Sequence, residues 1–259
     1  MKKETVFPLW SDPGSTKIRF FPAENKRGDG TVVIFAGGGY YFRAPYEEVD
    51  YALRLNEYGL NVFTVDYRVA PDRFPLPLLD ARRAIRFVRK NAERFGIDPH
   101  KVAAMGSSAG GHLAALLSTY REPIEGEGVD EIDGIGFLPD ACILCYPVTT
   151  LCEDHRHKKT ASNLLGERES ELAAALSPDR IADEKTPRTF IWHTATDELV
   201  PVKNALQYAA RLTSQGVSCE MHIFPEGRHG LGLAREIPHV SEWTEILRKW
   251  LALYGWMGD

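Results

Sequence analysis

The chain has 259 residues, 44% hydrophobic and 26% charged, a length and balance suited to one α/β domain with a core covered on both faces. Its net charge of −5 argues against nucleic acid or an anionic membrane surface as the main partner. No run approaches the roughly 18 apolar residues of a membrane span, and Met1-Lys2-Lys3-Glu4 is not followed by the apolar stretch of a signal peptide, so a cytoplasmic location is expected.

Val6–Trp10 and Lys17–Phe21 read as an early hairpin, separated by the turn-rich Ser11-Asp12-Pro13-Gly14. Thr31–Ala36 is a continuous apolar, β-branched run, as a strand covered on both faces requires, and Gly37-Gly38-Gly39 follows directly. Pro45–Tyr58 reads as a helix closed by Gly59, and Asn61–Asp66 as another buried strand. In Asp80–Phe95, Ala81, Ala84, Ile85, Val88 and Ala92 recur at helical spacing. Arg82, Arg83, Arg86 and Arg89 are then expected to face solvent. Gly96-Ile97-Asp98-Pro99 stops this helix, and a strand begins at Lys101.

The second half continues the alternation. Arg121–Pro139 is polar and acidic with no strong period, and reads as a surface loop. Strands are expected at Ala141–Tyr146, Thr189–Thr194 and Ser218–Phe224, and helices at Val202–Gln215 and Val240–Tyr254. His155–Leu176 is a less regular insert with two short helical stretches. Strands alternating with helices predict an α/β fold: a doubly wound, mostly parallel sheet with helices on both faces, in a single domain over residues 1–259. Cys142-x-x-Cys145 lies inside an apolar strand with no turn between the thiols, so it reads as buried free cysteine; with Cys152 and Cys219 it offers no metal site.

The chemistry concentrates after Lys101. Val102–Met105 is a short apolar run, and Gly106-Ser107-Ser108-Ala109-Gly110 fits G-x-S-x-G at a strand-to-helix turn. Such a turn holds its serine in a strained conformation, with glycines where side chains would strike the crossing backbone. In a doubly wound sheet the site lies at the carboxyl ends of the strands, so a base and an orienting carboxylate are sought there. His229 sits between glycines in the loop after the last strand. The other seven histidines are weaker: His112 is placed for packing or a supporting hydrogen bond, and His193 and His222 lie in strands. His100, His155, His157 and His239 sit in polar or helix-start settings. Asp197 follows the preceding strand; the adjacent Glu198 competes with it but is expected to point outward. The resulting order, Ser108, Asp197, His229, is that of α/β-hydrolases. Backbone N–H groups of Ala109 and of the triple-glycine turn are the candidate oxyanion donors. The glycine spacing matches neither dinucleotide nor P-loop fingerprints.

Together these segments resemble the α/β-hydrolases of the esterase/lipase group, which includes hormone-sensitive-lipase-like, acetyl-xylan-esterase-like and feruloyl-esterase-like hydrolases. The resemblance is carried by Phe35–Tyr40, Val65–Pro71, Phe74-Pro75 with Leu79-Asp80, Gly106–His112, Asp197–Pro201 and Gly227-Arg228-His229. It implies the α/β-hydrolase fold, with Ser108 as nucleophile, His229 as base, Asp197 as its orienting acid, and Gly38, Gly39 and Ala109 as the oxyanion hole. It implies no metal or organic cofactor.

One departure stands out: the family often has His or Pro before the three glycines, whereas here it is Ala36, so a side-chain prop for that turn is missing. The large N-terminal cap of many lipases is not expected here, so the segment before residue 30 and the insert at about 152–185 are the candidates to cover the site. Small or water-soluble esters are favoured accordingly. Tyr40, Tyr41 and Tyr146 are candidate pocket walls, with core or rim packing an equal alternative for each. The expectation is a serine carboxylesterase acting on short acyl groups of a small-molecule ester. Acetyl groups on sugars are suggested by the resemblance alone. The alternatives are a serine peptidase of the same fold, for which Glu47-Glu48 is the nearest thing to an acidic anchor, or a non-catalytic hydrolase-like binding protein. A homodimer is left open.

Overall fold

A computed structural model describes residues 4–11, 16–128 and 130–258. Most of the expected Ser11–Gly14 turn lies outside the described residues. In chain order the strands are β1 (Thr5–Pro8), β2 (Lys17–Phe21), β3 (Thr31–Phe35), β4 (Asn61–Val65), β5 (Val102–Ser107), β6 (Ala141–Cys145), β7 (Thr189–Thr194) and β8 (Cys219–Phe224). The helices are α1 (Val49–Glu57), α2 (Leu76–Lys90), α3 (Ala92–Phe95), α4 (Ser108–Thr119), α5 (Lys158–Leu165), α6 (Glu169–Leu172), α7 (Pro178–Ile181), α8 (Lys203–Ser214), α9 (Pro238–Ser241) and α10 (Trp243–Leu253).

The eight strands form one sheet in the order β1-β2-β4-β3-β5-β6-β7-β8. β2 runs antiparallel to β1 and β4, and all other pairs are parallel. The five strands from β4 to β7 are buried along their whole length, which their unbroken apolar runs require. Alternate residues feed two cores. Val33, Phe63, Ala104 and Leu144 pack on the face covered by α2, α4 and α8. Val32, Val62, Met105 and Ile143 pack on the face covered by α1 and α10. Phe35 pairs with Gly106, and Ser107 with Cys145, so the turns leaving β3, β5 and β6 emerge side by side at one sheet edge.

Two expected helices differ in detail. Pro45–Glu47 is a separate 3₁₀ turn ahead of α1. The expected Asp80–Phe95 helix starts earlier, with Pro77 in its first turn where a missing N–H costs nothing, and breaks at Asn91, whose side chain bonds back to the Phe87 carbonyl.

The arginines of α2 overturn the solvent-facing expectation. Arg82, Arg83 and Arg86 are buried. The stretch read as a surface loop folds over them and supplies acceptors. Arg82 donates to Glu127 at 2.8 Å and to the carbonyls of Tyr120 and Glu122, and stacks 4.1 Å from the Phe137 ring. Arg83 reaches Asp130 at 2.6 Å, and Arg86 reaches Glu127 at 3.0 Å and the Ile135 carbonyl at 2.9 Å. Guanidinium forks tolerate burial when carboxylates and carbonyls meet most of their N–H groups; for Arg82 these partners are on the two terminal nitrogens. Helical spacing reports which face a residue occupies, not what lies on that face.

Candidate active site

Ser108 sits at the tip of the β5–α4 turn with φ of +53°. A Cβ at Gly106 would lie 2.1 Å from the Gly110 carbonyl oxygen, and one at Gly110 would lie 2.0 Å from that of Phe35. Both positions exclude every residue but glycine, which is the steric reason for the G-x-S-x-G spacing. The serine opens the first turn of α4, where backbone N–H groups lack intrahelical acceptors; Ala109 is the next of them after Ser108.

Three loops meet at that serine. His229 Nε2 lies 2.8 Å from Ser108 Oγ, and His229 Nδ1 lies 2.6 Å from Asp197 Oδ2. Asp197 also accepts at Oδ1 from the backbone N–H groups of Leu199 and Val200, at 3.0 and 2.9 Å. His193, set aside on sequence as a strand residue, stands behind it with Nε2 3.3 Å from Oδ2. Burial opposes the charge of Asp197, but the hydrogen bonds from His193 and His229 outweigh it and hold the carboxyl well below its ordinary range. An ionised carboxylate only accepts, so Nδ1 of His229 donates and Nε2 is left to accept from the Ser108 hydroxyl. Glu198 is exposed.

The Gly37–Gly39 turn borders the same point. Gly38 and Gly39 have φ of +128° and +65°, and among the described residues neither N–H has a protein acceptor. Ala36 removes the usual prop, and other groups hold the turn instead. Tyr67 Oη donates to the Ala36 carbonyl at 2.5 Å, Asn163 Nδ2 donates to the Gly39 carbonyl at 2.8 Å, and the Gly37 N–H donates to Glu47 Oε2 at 2.7 Å.

The three tyrosines separate. Tyr41 is 70% exposed and lines the cavity above Ser108. Tyr40 does not: it is fully buried, with its hydroxyl 2.9 Å from Nδ1 of His112, whose Nε2 reaches the Leu176 carbonyl at 2.8 Å. Its backbone, at φ of +56°, turns the side chain under the glycine turn rather than over it. Tyr146 is likewise no wall. It is buried beneath His229, ring centroids 5.2 Å apart, and its hydroxyl donates to Glu47 Oε1 at 2.6 Å.

The cavity measures about 520 Å³. Ser108 and His229 line it together with Gly38, Gly39 and the aromatic side chains of Tyr41, Phe42 and Tyr46. The insert supplies His157, Lys159 and Asn163. His157 Nδ1 lies 2.7 Å from Thr160 Oγ1, and burial, with the nearby His229, pushes its pKa down. No sequence pattern marks these residues; they reach the site only because the insert folds back on it. Among the described residues no group of three His, Cys, Asp or Glu is placed to hold a metal ion. Nor is any helix long and apolar enough to cross a membrane.

Residues 19–212 match the family model described as BD-FAE. The chain belongs to the BD-FAE family. Over 246 residues it is 30% identical to an acetylxylan esterase of Xylanibacter ruminicola, covering 93% of this chain and 49% of that protein. Over 210 residues it is 32% identical to endo-1,4-beta-xylanase B of Butyrivibrio fibrisolvens, covering 79% of this chain and 33% of that protein. This BD-FAE chain thus spans a third to a half of the length of those two relatives. Among solved structures, an acetyl ester-xyloside bifunctional hydrolase of Caldicellulosiruptor lactoaceticus superimposes with a TM-score of 0.91 at 38% identity, covering 98% of this chain and 97% of that one. An esterase of Thermogutta terrifontis, Est2, gives 0.83 at 25% identity, covering 98% and 94%. The BD-FAE chain has the α/β-hydrolase fold that these neighbours share.

Proposed function

We propose that this protein is a serine carboxylesterase working through Ser108, His229 and Asp197. The observation that carries the reading is the continuous hydroxyl–imidazole–carboxylate relay, at 2.8 and 2.6 Å, opening into a cavity of about 520 Å³. His229 takes the proton of Ser108 as the oxygen attacks an ester carbonyl, and Asp197 stabilises the imidazolium that forms. The N–H groups of Gly38, Gly39 and Ala109 receive the tetrahedral oxyanion. His229 returns the proton to the departing alcohol, then activates a water that releases the acid from the acyl-serine.

Short acyl groups are the substrate class, with acetyl esters of sugars foremost. The names of the Xylanibacter acetylxylan esterase and of the Caldicellulosiruptor acetyl ester-xyloside hydrolase support this. So do Tyr41, Phe42 and Tyr46 at the cavity, an aromatic surface suited to a sugar ring. The peptidase reading lacks its anchor, because Glu47 already accepts from Gly37 and Tyr146, and Glu48 is 3.8 Å from Arg43. The four cysteines are all free thiols, which supports a reducing, cytoplasmic setting.

The test is a panel of p-nitrophenyl esters of increasing acyl length, acetylated xylo-oligosaccharides and aminoacyl p-nitroanilides, with Ser108→Ala alongside. Acetyl and propionyl esters are expected to lead, and Ser108→Ala to lower kcat at least about a thousandfold. Wild-type turnover by Ser108→Ala overturns the nucleophile, and faster anilide than ester cleavage overturns the esterase.

A further inference from the structure

Glu47 is 2% exposed, and its carboxylate bonds two segments of the site directly and a third through Tyr146. Oε2 accepts from the Gly37 N–H at 2.7 Å, and Oε1 accepts from the Tyr146 hydroxyl at 2.6 Å. The same Tyr146 oxygen accepts from the N–H of Gly232, three residues beyond His229, at 3.0 Å. Tyr51 Oη lies 3.1 Å from Tyr146 Oη and 3.1 Å from Ser107 Oγ, next to the elbow serine. A carboxylate has no proton to give, so the directions along this chain follow from its end. Ser107 donates to Tyr51, Tyr51 to Tyr146, and Tyr146 to Glu47.

Burying a carboxylate without compensation costs several kcal/mol, and here each oxygen of Glu47 has a hydrogen-bond donor. Packing alone calls for nothing charged here. A Cβ on Gly37 would lie 2.6 Å from Glu47 Oε2, 2.9 Å from the Ser107 carbonyl oxygen and 3.0 Å from Ser108 Cβ. The carboxylate and the elbow therefore grip the same glycine from two sides.

We propose that Glu47 is a positioning residue for ester hydrolysis: through Gly37 and Tyr146 its carboxylate ties the oxyanion turn to the loop carrying His229 and sets both against Ser108. The inference rests on the triad reading above. Glu47 touches no reacting atom in this role. It replaces, from the inside, the prop that Ala36 does not supply.

The experiment measures kcat and KM for p-nitrophenyl acetate, the inhibition constant of phenylboronic acid, and the melting temperature for wild type, Glu47→Gln, Tyr146→Phe, the double variant and Ser108→Ala. The boronate forms a tetrahedral adduct on a serine nucleophile and so reports the oxyanion donors. Glu47→Gln keeps the volume but replaces one acceptor by an NH₂ group facing Tyr146. Misplacement by a fraction of an ångström is expected to lower kcat about 10- to 100-fold, with KM nearly unchanged and boronate binding weakened by a similar factor. The double variant is expected to be no worse than the poorer single one, because both changes cut one linkage.

Two results overturn the proposal: a kcat/KM within about twofold of wild type in both single variants, or a loss confined to KM with boronate binding intact. If Glu47→Gln does not fold, Tyr146→Phe decides alone, since it keeps the ring under His229 and the Glu47–Gly37 bond. Full turnover by Ser108→Ala sinks the triad reading instead, and an inactive Ser108→Ala beside unimpaired Glu47→Gln and Tyr146→Phe sinks only the role of Glu47.

Discussion

Asn163 Nδ2 donates to the carbonyl oxygen of Gly39 across 124 residues of sequence, at 2.8 Å. One end of α5 in the insert thereby holds the outer side of the turn whose inner side is bonded to Glu47. Asn163→Ala leaves that carbonyl to water and removes about 1 kcal/mol of restraint, which corresponds to about a fivefold fall in kcat. Steady-state kinetics on p-nitrophenyl acetate check it, with a melting temperature close to wild type expected.

Asp197→Asn is expected to lower kcat by about a thousandfold or more, because an amide donates to Nδ1 and leaves His229 in the wrong tautomer to accept from Ser108. A second consequence is a change in acid stability. The folded-state pKa of Asp197 is depressed, so its contribution is fully present above the ordinary carboxylate value of about 4 and drains away as the pH falls below it. Urea unfolding on the acid side of that value should show a shallower pH dependence for the variant than for wild type.

His112 is fully buried as a neutral ring between Tyr40 and the Leu176 carbonyl. Burial pushes its pKa down to about 4. A depressed folded-state value means that the unfolded chain binds the proton first. The stability is then whole above about 6.5, the ordinary histidine value, and is lost as the pH falls from there toward 4. Over that window the shift amounts to about 3 kcal/mol. His112→Gln should lose this slope, and unfolding free energies measured between those two pH values decide it.

Arg82 is 1% exposed under the loop that follows α4. Arg82→Met keeps the stem but takes one of its donors from Glu127, which retains Arg86, and strands the carbonyls of Tyr120 and Glu122. Removing one partner of such a buried set is expected to cost about 3 kcal/mol in chemical denaturation. The esterase rate, by contrast, should stay near wild type, because none of these groups lines the cavity.

The elements were largely legible in sequence because each is specified locally. An unbroken apolar run such as Thr31–Phe35 has few places to go but the middle of a covered sheet. Gly106 and Gly110 announce a turn that no side chain permits, so the serine between them could be named without coordinates. Asp197 and His229 follow from the rule that such sheets open at the carboxyl ends of their strands. Glu47 was not legible. It sits in a Pro-Tyr-Glu turn like many others, and its acceptors are used by groups 10 and 99 residues away. Tyr40 and Tyr146 stayed open between pocket wall and packing for a related reason: position beside the site does not say which way a side chain turns, and both are buried.

By itself, then, the amino-acid order determined which stretches are strands and helices, where the strained serine sits, and the succession of hydroxyl, acid and imidazole. These depend on backbone sterics and on alternation of apolar residues, which act between near neighbours. Only the tertiary structure decided that Arg82, Arg83 and Arg86 are covered, that Glu47 and Asn163 brace the glycine turn, and that the insert forms part of the cavity wall. Those outcomes depend on hydrogen bonds between distant segments, whose partners are chosen by how the chain closes on itself and leave no periodic trace along it.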